Sequence, residues 1–258
     1  MADQQIDLER VRREKEAYNS GLEREGYESA LSHTFHLYEK RRQDLIRRTF
    51  QPLEDGDFLE LGSSVWLPWL EETGVRPRKL VCINISEAEM ELGAAPAAYT
   101  TLKPDFQIMD AHELAFEDNS FDVVYGGGML HHLEYERALK EIRRVLRPGG
   151  HMIFREPMDV NPVGRIVRAL TPRARTEDEK PLRLKDIAIA RSLFEMTFHY
   201  EQLVTVPAGV LSRLVFKSPD NVLMRSAFGF DEWLVRTAPA IGPLYREVWM
   251  VGRKPAEA

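Results

Sequence analysis

Apolar positions recur along this chain with two different periods, and the change between them divides it. Over residues 5–50 the period is helical. Leu8, Val11 and Lys15 open an amphipathic stretch that breaks near Asn19-Ser20-Gly21. Leu31, Phe35, Tyr38, Leu45 and Ile46 stripe a second helix, predicted from Tyr27 to Phe50. Gln51-Pro52 ends it, because the residue before a proline is driven out of the α region. From Asp57 short apolar runs replace the stripe. Phe58-Leu59-Glu60-Leu61 closed by Gly62, then residues 79–85, 105–109, 121–125 and 151–154, are bounded by turn residues and predict five buried strands. Helical segments are predicted between them. One covers 66–72 with Gly74 as a stop, and one covers 87–93, where Ser86 and Glu89 have capping-box spacing. A third covers 134–147, where Ala138, Leu139, Ile142, Val145 and Leu146 share a face and Pro148-Gly149-Gly150 stops the turn. Strands alternating with helices at this spacing predict a mainly parallel sheet covered on both faces.

Beyond 156 the pattern weakens. Residues 157–183 hold four prolines and read as a linker. After it come a predicted helix near 185–195, a strand near 202–206, helical segments over 209–238 and a last strand near 246–252. The reading is thus an N-terminal helical cap over 1–52 and one α/β domain over 53–258. That domain divides into a strand-rich half (56–156), the linker (157–183) and a sheet-completing C-terminal part (184–258).

Composition and charge narrow the function classes. With 43% hydrophobic residues and no window near 18 consecutive apolar positions, no membrane-spanning helix is expected. The opening Met-Ala-Asp-Gln-Gln has no apolar leader, and the single Cys82 excludes a disulfide framework or a cysteine-based zinc cluster. Both point to a cytoplasmic protein. The net charge of −6 is uneven: zero over 1–50, −11 over 51–125 and +5 over 126–258. Solvated faces are the plainer account of the acidic stretch; a cationic or polyhydroxylated ligand is the sharper one. No extended basic surface for nucleic acid is present.

In an open parallel sheet, ligands bind at the carboxyl ends of the strands. Four predicted strand ends carry polar or glycine residues: Glu60-Leu61-Gly62, Asn84-Ile85-Ser86, Asp110-Ala111-His112 and Gly126-Gly127-Gly128. Each has a role on a nucleoside. Gly62 admits close backbone approach, and Asn84 lies where ribose hydroxyls are met. Asp110 can accept from an exocyclic amine with Ala111 against the ring, and Glu60 can orient the first loop. Singly, each is more often a cap or turn residue.

Together they carry a resemblance. Asp110-Ala111-His112-Glu113-Leu114-Ala115-Phe116, Phe121-Asp122-Val123-Val124, Leu130-His131-His132-Leu133 and Arg144-Val145-Leu146-Arg147-Pro148-Gly149-Gly150 resemble the class I S-adenosylmethionine-dependent methyltransferases, nearest to their small-molecule branch. The likeness covers about residues 56–156, and 105–154 is its specific part. It implies a Rossmann-like, doubly wound, seven-stranded sheet with S-adenosylmethionine as cofactor and S-adenosylhomocysteine as product. The cofactor contacts it implies are Glu60, Gly62, Ser63, Ser64, Asn84, Ile85, Asp110, Ala111, His112 and Gly126. Two departures stand out. The family's Asp/Glu-x-Gly-x-Gly-x-Gly loop is here Glu60-Leu61-Gly62-Ser63-Ser64-Val65-Trp66, and Asn84 replaces the usual ribose-binding acid. Asn has one acceptor oxygen where a carboxylate has two, a loss of about 1 kcal/mol.

For the transfer step, a hydroxyl acceptor calls for a general base, and His131, just past the glycine run, is best placed, with His132 second. His33 and His36, with Tyr27 and Tyr38, reach the site only if the N-terminal helices fold over it. No metal is expected, because adjacent histidines cannot both face one ion from a regular element. Serine-hydrolase chemistry lacks its Gly-x-Ser-x-Gly turn. The expected function is methyl transfer to a small molecule, at the oxygen of a sugar, glycan precursor or secondary metabolite. The family's Asn-Pro signature for nucleobase or glutamine nitrogen is absent after strand four. The alternative is a relative that binds the cofactor without methylating, for regulation or for another sulfonium-assisted reaction. A small-molecule partner is implied and a homodimer is left open. Phe194, Phe198, Phe216, Phe228, Phe230 and Trp233 are candidates for a substrate wall, with core packing the expected use for most.

Overall fold

The computed structural model describes residues 8–20, 31–62, 66–95, 97, 100–170, 176 and 178–256. Two helices come first, α1 (Leu8–Ser20) and α2 (Phe35–Phe50). The α/β series follows: β1 (Asp57–Leu61), α3 (Trp66–Thr73), β2 (Lys79–Asn84), α4 (Glu87–Ala94), β3 (Pro104–Ile108), β4 (Phe121–Gly127), α5 (Tyr135–Val145) and β5 (Leu146–Pro157). The remainder is α6 (Pro162–Leu170), α7 (Leu184–Leu193), β6 (Glu195–Glu201), α8 (Thr205–Val215), α9 (Val222–Thr237) and β7 (Glu247–Arg253). The seven strands form one sheet in the order β3-β2-β1-β4-β5-β7-β6. All pairings are parallel except those of β7, which lies antiparallel between β5 and β6.

The alternation of side chains across the pleat builds two cores. Leu59, Leu61, Val81, Ile83, Val124, Met152, Phe154 and Met250 face α5 and α7. Phe58, Leu80, Cys82, Val123, Tyr125, Ile153 and Trp249 face Ile46 and Phe50 of α2 and Leu70 of α3. Being buried on both faces is why these strands read as continuous apolar runs rather than alternating ones. Strand order reverses between β1 and β4, where β1 runs on to β2 and β3 on one side. A crevice therefore opens at their carboxyl ends.

Four expectations change. The strand predicted near 202–206 is β6 at Glu195–Glu201, and α8 begins at Thr205. The reason is a period of two: Met196, Phe198 and Tyr200 pack against the core while Glu195, Thr197 and His199 alternate with them. The helix predicted near 185–195 accordingly stops at Leu193. The linker is not structureless, since α6 lies within it and Met158 pairs with Leu182. Residues 32–34 form a turn before α2, so that helix begins at Phe35, and Tyr27 lies outside the described residues.

A buried ion cluster joins α2 to the β6–β7 edge. Arg42 donates to Glu201 Oε2 at 2.9 Å and to Glu247 Oε2 at 3.2 Å. Burial works against the charge of Glu247, but Arg246, Arg155 and Arg42 hold its pKa at about 2, below the ordinary 4.5. Its contribution to stability is therefore complete above pH 4.5 and lost as pH falls towards about 2. Glu201 works in the opposite sense, because burial raises it against the pull of Arg42. Glu247→Gln is expected to lower stability at neutral pH and to flatten the acid limb of a urea-midpoint profile. Parallel profiles for the two proteins would contradict this.

Candidate active site

The crevice is lined by the loops that the strands deliver. At the end of β1, Gly62 takes φ +69°, a left-handed conformation that other residues adopt at a cost. A Cβ built there would approach Met129 Cβ to 3.1 Å, so the backbone at Gly62 lies tightly against Met129 of the loop after β4. Ser63 and Ser64 lie outside the described residues. Glu60 points away from this crevice, to the face carrying Cys82 and Tyr125, and accepts from the Tyr125 hydroxyl at 3.1 Å. Gly126 is enclosed, because a Cβ there would meet the Leu61 carbonyl at 2.6 Å.

After β2, Asn84 turns Oδ1 onto the Ser86 backbone N–H at 3.0 Å, with Ile85 half-buried between them. Ser86 caps α4 by accepting from the Glu89 N–H at 3.1 Å. After β3, the Met109 N–H donates to the Asn84 carbonyl at 3.0 Å, tying the second and third loops together. Asp110 Oδ1 accepts from the His112 N–H at 2.9 Å and meets His112 Nδ1 at 2.7 Å. The Glu134 N–H donates to His112 Nε2 at 2.8 Å, so the proton of this ring is on Nδ1, directed at Asp110. Burial tends to raise Asp110, but the bonds from His112 outweigh it and hold the carboxyl below its ordinary range. Oδ2 of Asp110 has no hydrogen-bond partner among the described residues. Ala111, which follows it, is buried.

The loop after β4 carries the histidine pair on a single 3-10 turn, Leu130–His132. Glu156, wholly buried at the end of β5, fixes this turn. Its Oε1 accepts from the N–H groups of Met129 (3.2 Å) and Leu130 (3.0 Å). Its Oε2 accepts from the His131 N–H (3.4 Å) and meets His131 Nδ1 at 2.6 Å. A carboxylate that already accepts backbone N–H bonds also accepts a hydrogen bond from the ring rather than donating one. Nδ1 of His131 is thus the N–H, and its lone pair is on Nε2, 4.0 Å from Glu179 Oε1. His132 is engaged on both sides: Nε2 lies 2.9 Å from the Tyr18 hydroxyl, and Nδ1 lies 3.1 Å from Glu14 Oε2 and 3.2 Å from Thr176 Oγ1. Burial, then the neighbouring His131, lowers its pKa below the ordinary 6.5.

Helix α1 closes the crevice from above. At one end Arg10 donates to the His132 carbonyl at 2.6 Å. At the other, Asn19 Oδ1 accepts from the Ser86 hydroxyl at 2.6 Å, and Lys15 pairs with Glu87 at 2.6 Å. The cover is thus α1, not the segment with His33 and His36. His33 Nδ1 lies 2.9 Å from Ser212 Oγ of α8, and Tyr38 bonds to Asp231 of α9. The geometric premise against a metal also needs correction. On a 3-10 turn the two histidine rings lie 4.2 Å apart, and with Glu179 they offer ligand atoms within 4.8 Å of one another. For His132 to ligate through either nitrogen it must give up Tyr18 or the Glu14–Thr176 contacts.

Glu156 was legible in principle. It closes the fifth apolar run at Arg155-Glu156-Pro157, a strand end of the same kind as the four singled out. Glu14, Tyr18 and Glu179 gave no local signal.

Residues 59–154 match the family model described as a methyltransferase domain. Over this stretch the chain is similar to the class I methyltransferases. It is similar to a demethylmenaquinone methyltransferase of Bacillus cereus, 33% identical over 105 residues, or 40% of this chain and 44% of that one. It is also similar to the 27-O-demethylrifamycin SV methyltransferase of Amycolatopsis mediterranei, 35% identical over 106 residues and 39% of each chain. The likeness to these curated relatives thus spans less than half of their length. The fold is similar to the N-methyltransferase NodS of Bradyrhizobium japonicum, whose crystal structure is a complex with S-adenosyl-L-homocysteine. The TM-score is 0.54 with 13% identity, over 85% of this chain and 88% of that one. The matched stretch runs from β1 to β5 and contains the described residues of the crevice except Glu156, Thr176, Glu179 and those of α1.

Proposed function

We propose that this protein transfers a methyl group from S-adenosylmethionine to the oxygen of a small-molecule acceptor, with His131 as general base. The observation that carries the reading is the fixed ring of His131: Glu156 holds Nδ1–H, which leaves Nε2 as the proton-accepting atom. S-adenosylmethionine supplies an already activated methyl group, so the protein's part is positioning, exclusion of water and removal of one proton. The residues present fit that cofactor. Asp110 offers an unused carboxylate oxygen for an adenine amine, with Ala111 beside it, and Gly62 at the end of β1 has no side chain to block close backbone approach. Asn84, Ile85, Ser63, Ser64 and Gly126 are assigned to the same cradle. His112 acts through Asp110, and Glu60 supports the sheet behind the loop. The proton lost by the acceptor passes to Nε2 of His131, and the imidazolium stays hydrogen-bonded to Glu156. Helix α1 keeps water from the crevice.

The acceptor is proposed to be a sugar, glycan precursor or secondary metabolite carrying a free hydroxyl. The names of the relatives, a 27-O-demethylrifamycin SV methyltransferase and demethylmenaquinone methyltransferases, add a demethylrifamycin and a demethylated quinone to the panel. The test is calorimetry with S-adenosylmethionine and S-adenosylhomocysteine, followed by transfer of labelled methyl across that panel. Asp110→Ala is expected to weaken cofactor affinity about five- to tenfold, the loss of one charge-assisted bond. Unchanged affinity would put the adenine elsewhere. No binding up to millimolar cofactor would end the methyltransferase reading, and binding without transfer to any acceptor would turn it into the non-methylating alternative.

A further inference from the structure

Most of the exposed large apolar side chains lie in one part of the chain. Among the described residues, eleven of fifteen fall between Val160 and Trp233. On α8 they form a stripe: Val210, Leu211, Leu214 and Val215 are 39%, 52%, 81% and 65% exposed at i, i+1, i+4 and i+5. On α6, Ile166 and Leu170 are 59% and 76% exposed at i and i+4. α6 packs against α8, so the stripes belong to neighbouring helices. Such faces are normally covered in a soluble protein.

The charges carried by these two helices are of one sign. The α6 sequence PVGRIVRAL holds two arginines and no acid, and the α8 sequence TVPAGVLSRLV holds one arginine and no acid. Lys217 follows just beyond α8. Arg168 bridges to Asp159 at 3.6 Å, whereas Arg165, Arg213 and Lys217 form no ion pair among the described residues. Apolar stripes on helices that carry bases and no acid are what an anionic lipid surface recognises. A second copy of the chain suits the face less well, because a two-fold contact sets these arginines against their own copies without an acid on either helix. Neither helix can cross a bilayer, being nine and eleven residues long.

We infer that the α6–α8 face docks in the plane of a membrane surface rich in anionic lipid. Its apolar stripes enter the acyl boundary and its bases meet the headgroups. α6 is joined by a short loop to the end of β5, where Glu156 holds His131. The docked face is thereby tied directly to the proposed base, although docking itself does not depend on the catalytic reading.

The test is flotation of the full chain with vesicles of phosphatidylcholine alone and with added phosphatidylglycerol. Binding is expected only with phosphatidylglycerol, weakening at high salt. Leu214→Glu with Leu211→Glu should reduce it about tenfold or more, with the thermal unfolding midpoint unchanged because both side chains are exposed. Absence of binding to phosphatidylglycerol vesicles, or binding by the double variant equal to the parent's, would overturn the inference. So would a dimer in light scattering that the double variant dissolves, since the occupant would then be a second copy.

Discussion

Replacing Asp231 by alanine is expected to cost about 3–5 kcal/mol of folding stability, enough to leave a mesophilic domain marginal. The carboxylate lies wholly inside the packing of α9 against the start of α8. It accepts from the N–H groups of Leu203 (3.1 Å), Val204 (2.7 Å) and Thr205 (3.1 Å), and from the hydroxyls of Thr205 (2.8 Å) and Tyr38 (2.9 Å). Truncation removes the acceptor of all five donors, of which only the Thr205 and Tyr38 hydroxyls, 3.0 Å apart, can pair with each other, and an unmet buried donor costs about 1–3 kcal/mol before relaxation. The same surroundings push the Tyr38 phenol well above its ordinary range, by burial first and by the charge of Asp231 second. Tyr38→Phe removes one of the donors and the acceptor of the Gln202 N–H at 3.2 Å, and should cost about 1–3 kcal/mol. Urea denaturation of the two variants checks the ranking. A loss below 1 kcal/mol for Asp231→Ala would show that water or a shifted loop takes over these donors.

The second large effect is on turnover. Glu156→Gln is expected to lower kcat about 10²–10³-fold, with the cofactor Kd changed less than about threefold. Gln keeps the shape but offers one acceptor oxygen to the N–H groups of Met129, Leu130 and His131. Its NH₂ then faces donors or turns the His131 ring to the wrong tautomer. His131→Ala should cost a similar factor, and the double variant little more than either, because both residues serve one proton transfer. Glu156→Asp should recover part of the rate and move the pH–rate profile. The positioning role fails if Glu156→Gln loses activity only in proportion to folded protein, or if the two losses add in full.

The sequence had a clear view of anything set within one turn or one strand. The Ser86–Glu89 cap forms at the predicted spacing. The run of Ala138, Leu139, Ile142 and Val145 is the buried face of α5. Gly62 and Asp110 stand at the ends of β1 and β3, where the apolar runs said strands would stop. What it could not see were partners far apart in the chain. His131 was recognisable beside the glycine run, but its orientation depends on Glu156, 25 residues on. Tyr18 meets His132 across 114 positions. No local period reports such a meeting. Glu60 shows the same limit: its motif position suggested the first loop, whereas the pleat turns it towards Cys82 and Tyr125.

The sequence by itself therefore determined the alternation of five strands with helices, the polar strand ends and the histidine pair. Each follows from local sterics and from apolar periodicity within a window of a few residues. Only the tertiary structure decided that β7 enters antiparallel between β5 and β6, and that α1 rather than the His33 segment covers the crevice. It alone decided that two apolar stripes remain uncovered on α6 and α8. These depend on which surfaces meet once the chain is closed. That choice is settled by total burial and hydrogen-bond satisfaction across the whole molecule, which no short stretch of residues contains.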